Sequence, residues 1–293
     1  MQDASLETPS LVSVEPHAKR GGLALRFPAA RLAISPRWHF GAFGVQFVQL
    51  PADQLLVLPE GSAPYLKVIT GMIDSEPHRP FPPRGRVTST RCATSRVTAL
   101  QDSLLCVITD AEMAPSAPSD MAQLTFTGEF SEYLGWQSFH EKFAAVTDIF
   151  DGLDAHMVPG FHLLDAEESE IAYVHFWTTG PKVDVSTHNH AQPPSELAPA
   201  FAEVHLVLRN GTGTGGMYEC ERPGSPRHRT VIQAGEEHGP FFFTDAHGRP
   251  LLLDNGAVAY PWHGWQGGDT DTSTTRYDLV AAFEINPAHV RVI

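Results

Sequence analysis

The sequence has 293 residues, 42% of them hydrophobic, and a formal net charge of −14 with only 20 lysines and arginines. This length allows one large domain or two of ordinary size, and the apolar content is ample for a core. The acidic balance argues against nucleic acid or an anionic membrane as partner, because both select basic surfaces. The chain contains no membrane-spanning apolar run, and its polar N-terminus lacks the apolar segment of a secretory signal, so a cytoplasmic protein is expected.

The first 130 residues alternate short β-rich runs with the glycines and prolines of turns, a texture typical of sandwiches and barrels. The strand-like runs are VQFVQL (45–50), LLVLP (55–59) and PYLKVITG (64–71). The histidines in this part are scattered, with no two at the spacing of metal ligands: His17, His39 and His78. We therefore predict an N-terminal β-rich unit, residues 1–130, that holds no metal.

A helix is predicted next, over residues 131–152. Its apolar residues recur at intervals of three and four positions, which places them on one helical face: Trp136, Phe139, Phe143, Val146 and Phe150. Core packing explains such a stripe better than an exposed binding surface does. The helix would link the first unit to a second β-rich unit, residues 153–293.

Two histidines open the part of the sequence that carries chemistry. His188 and His190 follow the strand-like run EIAYVHFWTTG (170–180) and stand two residues apart, so in an extended chain both point to the same side. A His-x-His pair alone is weak evidence, since chance gives roughly 0.8 such pairs in a chain with this many histidines. The neighbouring sequence has to supply the support.

A second pair stands in the next strand-like run, EVHLVL. Glu203 and His205 are again two residues apart, and Asn210-Gly211 behind them is a strong hairpin signal. If the two runs pair antiparallel, four candidate metal ligands converge on one inner face. The alternative is that both pairs are ordinary polar residues facing solvent.

The stretch NGTGTGG (210–216) formally matches the dinucleotide-binding fingerprint through its glycines. That fingerprint requires a helix after the glycines. Here MYECERP follows and is strand-like, so a glycine-rich hairpin turn is the better interpretation.

Further downstream, two segments add candidates for the site. AGEEHGPFFF (234–243) offers Glu236 and His238, either as an acid–base pair or as residues of a solvated turn. DNGAVAYPWHGWQGG (254–268) contains His263 between two tryptophans. Tyr260 and these tryptophans either line a pocket mouth or pack at the end of a barrel.

Taken in order, HNH, EVHLVLRNG and GAVAYPWH resemble the two motifs of the cupin superfamily over about residues 170–285. The likeness departs from the usual pattern in the long gap between His190 and Glu203 and in the short spacing from Pro261 to His263. The resemblance implies an all-β chain with a C-terminal cupin barrel, or jelly roll. Its N-terminal half would be a β-sandwich or a degenerate second cupin. Within the superfamily, the long loop and the glycine-rich turn are most similar to the cupin part of the aldos-2-ulose dehydratases, which are lyase/isomerases of keto-sugars.

The resemblance also implies one divalent metal held by His188, His190, Glu203 or His205, and His263. Zinc is preferred, and Fe(II), Mn, Ni and Co suit the same ligands. Three functions remain open: a metal-dependent lyase or isomerase of a small hydroxy-carbonyl or ring substrate, an Fe(II) dioxygenase, and a non-catalytic small-molecule-binding cupin. For the first, Glu236 is the preferred acid–base group, with His238 and Tyr260 beside it. Assembly into a homodimer is left open.

The cysteines carry a separate prediction. The sequence has three, Cys92, Cys106 and Cys220, widely spaced and without a CxxC pair. This pattern predicts reduced thiols that are neither disulfide-bonded nor metal ligands.

Overall fold

The structure is a computed structural model of the chain. The residues that it describes are 13–16, 23–29, 31–35, 37–40, 43–58, 65–75, 87–89, 96–110, 157–185, 187–191, 193–195, 199–238, 242–269 and 278–290. Within these ranges the elements are nineteen strands and one short 3-10 helix, Pro287–His289. None of the helices in the described ranges is long and apolar enough to cross a membrane.

Eleven of these strands come from the N-terminal part of the chain. They are β1 (Ser13–Pro16), β2 (Leu23–Arg26), β3 (Ala33–Ile34), β4 (Trp38–Phe40), β5 (Phe43–Leu50), β6 (Leu55–Val57), β7 (Tyr65–Thr70), β8 (Ile73–Ser75), β9 (Val87–Ser89), β10 (Arg96–Ala99) and β11 (Ser103–Asp110).

The other eight come from the C-terminal part. They are β12 (Met157–Leu164), β13 (Glu170–Thr179), β14 (Ala202–Asn210), β15 (Gly216–Cys220), β16 (His228–Val231), β17 (Glu236–His238), β18 (Trp262–Gln266) and β19 (Asp278–Ile285).

The strands form four sheets. The long sheet has eight strands in the order β1-β2-β12-β13-β19-β14-β17-β9, and the small C-terminal sheet has the order β16-β15-β18. The five-stranded N-terminal sheet has the order β3-β5-β11-β7, with β4 also on β5, and β6-β10-β8 form the small N-terminal sheet. The all-β prediction is confirmed, while the predicted linking helix, 131–152, lies outside the described residues.

Alternation along the strands shows how the sheets stack. In β19, Phe283 belongs to an apolar core shared with Phe47 of the five-stranded sheet, whereas Val280 and Ala282 belong to a core shared with Trp265 of the small C-terminal sheet. Because successive side chains point to opposite faces of a strand, the long sheet has one face on each core. A third core fills the space between the two N-terminal sheets. The result is two double-layered units packed back to back.

The strand pairing crosses the predicted boundary between residues 1–130 and 153–293. At one end of the long sheet β2 pairs in parallel with β12, and at the other end β9 pairs with β17. Lys67 of β7 also forms an ion pair with Glu237 of β17, and both side chains are largely buried. The division into these two domains stays a prediction, and the N-terminal half contributes three strands, β1, β2 and β9, to the sheet built mainly from the C-terminal half.

The glycine-rich turn after β14 leads into the strand β15, as the sequence predicted. The turn is fixed by Asp278, a fully buried carboxylate at the start of β19. Asp278 accepts hydrogen bonds from Thr212 N at 3.0 Å, Thr212 Oγ1 at 2.8 Å and Trp265 Nε1 at 3.0 Å. Burial raises the pKa of Asp278 above its ordinary value, opposed by these hydrogen bonds. One side chain thereby joins the turn, the long sheet and the small C-terminal sheet.

Replacing Asp278 by alanine should destabilise the protein by about 3 kcal/mol or more, because several buried donors would lose their acceptor. The free energy of unfolding in urea, measured by circular dichroism, checks this. Asp254→Ala, at an exposed carboxylate, is the control and should leave the midpoint close to that of the wild type. Equal midpoints for the two variants would contradict the role given to Asp278.

In the described part of the chain, Cys106 and Cys220 are buried free thiols. Burial raises the pKa of the Cys106 thiol far above its ordinary value, which suits an inert core residue. Cys92 lies outside the described residues.

Thiol titration of the denatured, unreduced protein should therefore find three free groups. The reduced protein, treated identically, gives the reference value. A single free group would mean that two cysteines form a disulfide, and would count against the prediction.

Candidate metal centre and its cavity

The first two predicted ligands lie on an extended segment that pairs with β18. The backbones of His188 and His263 exchange two hydrogen bonds, N to O, both at 2.9 Å. Val185 N also donates to Trp265 O at 2.8 Å, which continues the ladder toward the start of the segment. Because directly paired residues point to the same face of a sheet, this register brings His188 and His263 side by side. His190 follows two positions later on the same face.

Close packing behind the segment holds it in place. Tyr218 of β15 donates a hydrogen bond to Val185 O at 2.7 Å, and Arg227 pairs with Asp184 at 2.6 Å. Gly264 is required beside them, because a Cβ there would lie 2.4 Å from the Tyr218 hydroxyl. Burial raises the pKa of Tyr218 to about 12, so its hydroxyl stays protonated and able to donate.

Three histidines form a group that could bind a metal ion. His188, His190 and His263 each offer one nitrogen, and these nitrogens all lie within 4.8 Å of one another. The ring of His263 lies 4.5 Å from that of His188 and 5.1 Å from that of His190, centroid to centroid. Burial, together with the neighbouring charges of His188 and His190, lowers the pKa of His263 well below its ordinary value. His263 is therefore neutral, which is the form that binds metals.

The second predicted pair reaches this triad from the opposite wall. Glu203 Oε2 lies 2.6 Å from His190 Nε2, and Glu203 Oε1 lies 3.0 Å from His205 Nε2. Burial by itself would raise the pKa of Glu203, but the charges and hydrogen bonds of His190 and His205 hold it well below its ordinary value. Glu203 is thus an ionised carboxylate next to the triad, whereas His205 faces Glu203 instead of the three clustered nitrogens.

Two members of the triad, His188 and His263, line a cavity between the long sheet and the small C-terminal sheet. Its walls are His175, Trp177, Val185, His188, Glu203, His205, Met217, His263, Gly264 and Trp265. The cavity volume is about 30 Å³. One water needs about 10–15 Å³ by the same measure. The cavity therefore accommodates an ion and only a small part of a larger ligand.

The sequence predicted three catalytic residues: Glu236, His238 and Tyr260. None of them is among the ten residues that line the cavity. Glu236 Oε2 accepts a hydrogen bond from Gln233 N at 2.7 Å, at the turn before β17. The role of Glu236 as an acid–base group stays a prediction.

His238 and Tyr260 are both buried behind the site. His238 Nε2 lies 3.3 Å from Glu219 Oε1, and burial lowers its pKa although Glu219 opposes this effect. Tyr260 donates a hydrogen bond to Phe201 O, and burial raises its pKa well above the ordinary value. The ring of His238 lies 6.3 Å from that of His205, and the ring of Tyr260 lies 5.1 Å from that of His190, centroid to centroid. Their predicted catalytic roles likewise stay predictions.

Two titratable residues of the barrel interior were missed from the sequence. His175 of β13 is one of the cavity walls, and Glu284 of β19 lies next to it, with 3.6 Å between Nδ1 and Oε1. Each stands alone among apolar residues, in AYVHFW and AAFEI. The signal that could have found them was one titratable residue on the inward-facing side of an otherwise apolar strand.

Two facing β-sheets, with a histidine triad on the inner wall of one of them, define the chain as a cupin. The family model for the aldos-2-ulose dehydratase/isomerase (AUDH) cupin domain matches residues 101–286. That range is more than half of the chain, and the protein belongs to this family. The cupin resemblance of the sequence is thereby confirmed.

A curated relative is the aldos-2-ulose dehydratase of Phanerodontia chrysosporium, which is 35% identical over 147 residues. The match covers 46% of this chain and 16% of the relative, so the chain spans about a sixth of that protein.

Solved structures that match the chain include a cupin 2 conserved barrel domain protein from Leptotrichia buccalis, at 10% identity and a TM-score of 0.27 over 88% of this chain and 90% of that one. An IolB-like protein from Salmonella typhimurium has 10% identity and a TM-score of 0.30, over 85% of each chain. A mutant oxalate decarboxylase from Bacillus subtilis has 12% identity and a TM-score of 0.28, over 85% of this chain and 70% of that one.

Replacing both His188 and His190 by alanine should abolish binding of one metal ion per chain, because two of the three clustered nitrogens are removed. The measurement is metal content by mass spectrometry after zinc loading and dialysis. The control is the double variant His228→Ala/His247→Ala, which removes two exposed histidines and should keep the metal. Full occupancy in the first variant, with an intact β-sheet spectrum, would refute the site.

Proposed function

We propose that the protein is a metal-dependent lyase or isomerase, of dehydratase type, that acts on a small hydroxy-carbonyl compound of sugar-like chemistry. The observation that carries the proposal is the histidine triad, two of whose members line a cavity in the barrel. The family description, dehydratase/isomerase, and the dehydratase named as a relative support the same reaction class.

The residues present fit a divalent metal ion. Imidazole nitrogens about 2.1 Å from a shared ion are at most about 4.2 Å apart. Nitrogens within 4.8 Å of one another therefore need only a small adjustment. The three imidazoles with a nearby carboxylate suit zinc, Fe(II), Mn, Co or Ni. His188, His190 and His263 would hold the ion, with Glu203 as the neighbouring carboxylate.

A divalent metal in this position supplies a positive charge for the two adjacent oxygens of a hydroxy-ketone as negative charge develops on them. The residues of the chain orient the metal-binding groups and shield them from water. Glu203 lies against His190 on one side and hydrogen-bonds to His205 on the other, so it orients both rings. The apolar faces of Trp177 and Trp265, whose rings lie 5.5 Å apart, cover the wall beside the triad and limit the water that reaches it.

The reaction that follows has a simple balance. The bond between hydrogen and the carbon beside the carbonyl breaks, the proton goes to a base, and the electron pair moves toward the carbonyl. Return of the proton to the former carbonyl carbon, with the hydroxyl proton passing to the former carbonyl oxygen, completes an isomerisation. Loss of a hydroxyl group from the next carbon, leaving with a proton as water, completes a dehydration. Neither outcome needs an oxidant or a reductant.

Turnover of an aldos-2-ulose by the metal-loaded protein in D₂O should place deuterium on the carbon beside the carbonyl. The same samples should contain a product lighter by one water if dehydration follows. Mass spectrometry and proton NMR measure both, and chelator-dialysed protein is the control that should show neither.

Two results would contradict this proposal. Consumption of O₂ with its oxygen in the product would favour the dioxygenase alternative. Saturable binding of the sugar without exchange or product would favour a non-catalytic cupin.

A further inference from the structure

A buried histidine–carboxylate pair lies in the wall of the cavity and is separate from the metal triad. His175 lies on the inner face of β13, between Val174 and Phe176, which point into the opposite core. Its Nδ1 lies 3.6 Å from Oε1 of Glu284, and both side chains are only 1% exposed. In the register of the long sheet Glu284 stands opposite Tyr173 on one side and Glu203 on the other.

The burial of this pair calls for an explanation. A carboxylate in an apolar interior costs several kcal/mol unless it is paired and hydrogen-bonded, and apolar residues of similar volume would pack as well. The next inward positions of the same two strands are apolar, Trp177 beyond His175 and Ala282 before Glu284. Stability alone does not select a histidine and a glutamate here.

The position of the pair relative to the cavity suggests its role. His175 is one of the cavity walls together with His188 and His263 of the triad. It belongs to the long sheet, whereas His188 and His263 belong to the facing wall. A molecule bound at the triad would therefore have His175 on its other side. With Nδ1 directed at Glu284, the opposite edge of the imidazole carries the nitrogen that can exchange a proton with such a molecule.

We propose that His175 is the acid–base residue of the reaction and that Glu284 is its positioning residue. The inference rests on the proposed function and names the group that moves the proton. The imidazole of His175 takes the proton from the carbon beside the carbonyl, and the electron pair moves toward the carbonyl oxygen. The imidazolium, stabilised by the Glu284 carboxylate, then gives up the proton in one of two ways. In an isomerisation the proton goes to the former carbonyl carbon while the hydroxyl proton passes to the former carbonyl oxygen. In a dehydration it goes to the departing hydroxyl group, which leaves as water.

The chain contains a matched control for this pair. His162 of β12 is also fully buried, and its Nδ1 lies 3.0 Å from Oε1 of Glu170. Its ring lies 4.4 Å from one side of Tyr173, whereas the ring of His175 lies 5.4 Å from the same tyrosine. His162 is not among the ten cavity walls. The two histidines therefore share their burial and a carboxylate partner and differ in their access to the cavity.

The experiment compares His175→Gln, His162→Gln, Glu284→Gln and Glu236→Gln as full-length, zinc-loaded proteins. The readouts are deuterium exchange into an aldos-2-ulose per bound metal ion, metal content, and the temperature of unfolding. His175→Gln should lower the exchange rate by about 10²–10⁴, the usual loss of an acid–base group, with KM and metal content close to wild type. His162→Gln should exchange at nearly the wild-type rate even if it is less stable.

Glu284→Gln tests the positioning role. It should lower kcat about tenfold while KM and the bound metal stay unchanged, a split that a general loss of structure would not produce. His175→Ala supplies a second test, because added imidazole should restore part of its exchange rate. If His175→Gln does not fold, the proposal is tested with Glu284→Gln instead. An unchanged kcat in that variant overturns the proposal.

The remaining outcomes separate the two proposals. No exchange by the zinc-loaded wild type overturns the proposed function and the role of His175 with it. Exchange by His175→Gln at the rate of His162→Gln overturns the role of His175 alone. If only Glu236→Gln loses deuterium exchange, the role of His175 is overturned. The proton transfer is then assigned to Glu236, the residue predicted from the sequence.

Discussion

The candidate site of the C-terminal barrel is organised around the buried carboxylate of Glu203. It is only 3% exposed, and its two oxygens lie 2.6 Å from His190 and 3.0 Å from His205. A buried carboxylate costs several kcal/mol unless its partners compensate for the water it has lost. Here the two imidazoles more than offset the desolvation, because the pKa of Glu203 is lowered despite burial. One wall of the site therefore depends on the other for its charge balance.

The positions of these groups are set by apolar packing that lies outside the site. Side chains alternate along β14, so Glu203 and His205 face the cavity only while Leu206 faces the opposite core. A slip of one residue in the pairing with β19 would exchange the two faces. Phe283 and Phe47, on facing sheets, belong to the core that opposes such a slip. The N-terminal unit thus contributes to the site by fixing the register of the long sheet.

The sequence predicted the parts of the site that are local in the chain. His188 and His190 share a face because extended residues two apart always do, and His263 was found through the glycine and proline before it. The same local rule also selected Glu236 and His238, which share a strand. The structure shows, however, that Glu236 accepts a hydrogen bond from a turn and is not a cavity wall. Spacing along one strand predicts which side chains share a face, but it does not predict which faces meet across the barrel.

His175 and Glu284 illustrate what such rules leave out. They come together because β13 pairs with β19, a contact between distant parts of the chain that no local pattern encodes. The all-β class could be predicted, since strand length and turn residues are local properties. The back-to-back packing could not, because it depends on β2 and β9 adding to the ends of a sheet built mainly from the other half.

The shape of the cavity restricts the chemistry further. The triad occupies one wall and His175 the other, and the enclosed space between them is about 30 Å³. Only the reacting end of a molecule, a carbonyl with the adjacent hydroxyl and its C–H bond, is small enough to lie there beside an ion. The remaining atoms of a sugar would extend beyond this space. Under the proposed function the barrel therefore recognises a reactive group at one end of the substrate, with its oxygens toward the triad and its acidic hydrogen toward the long sheet.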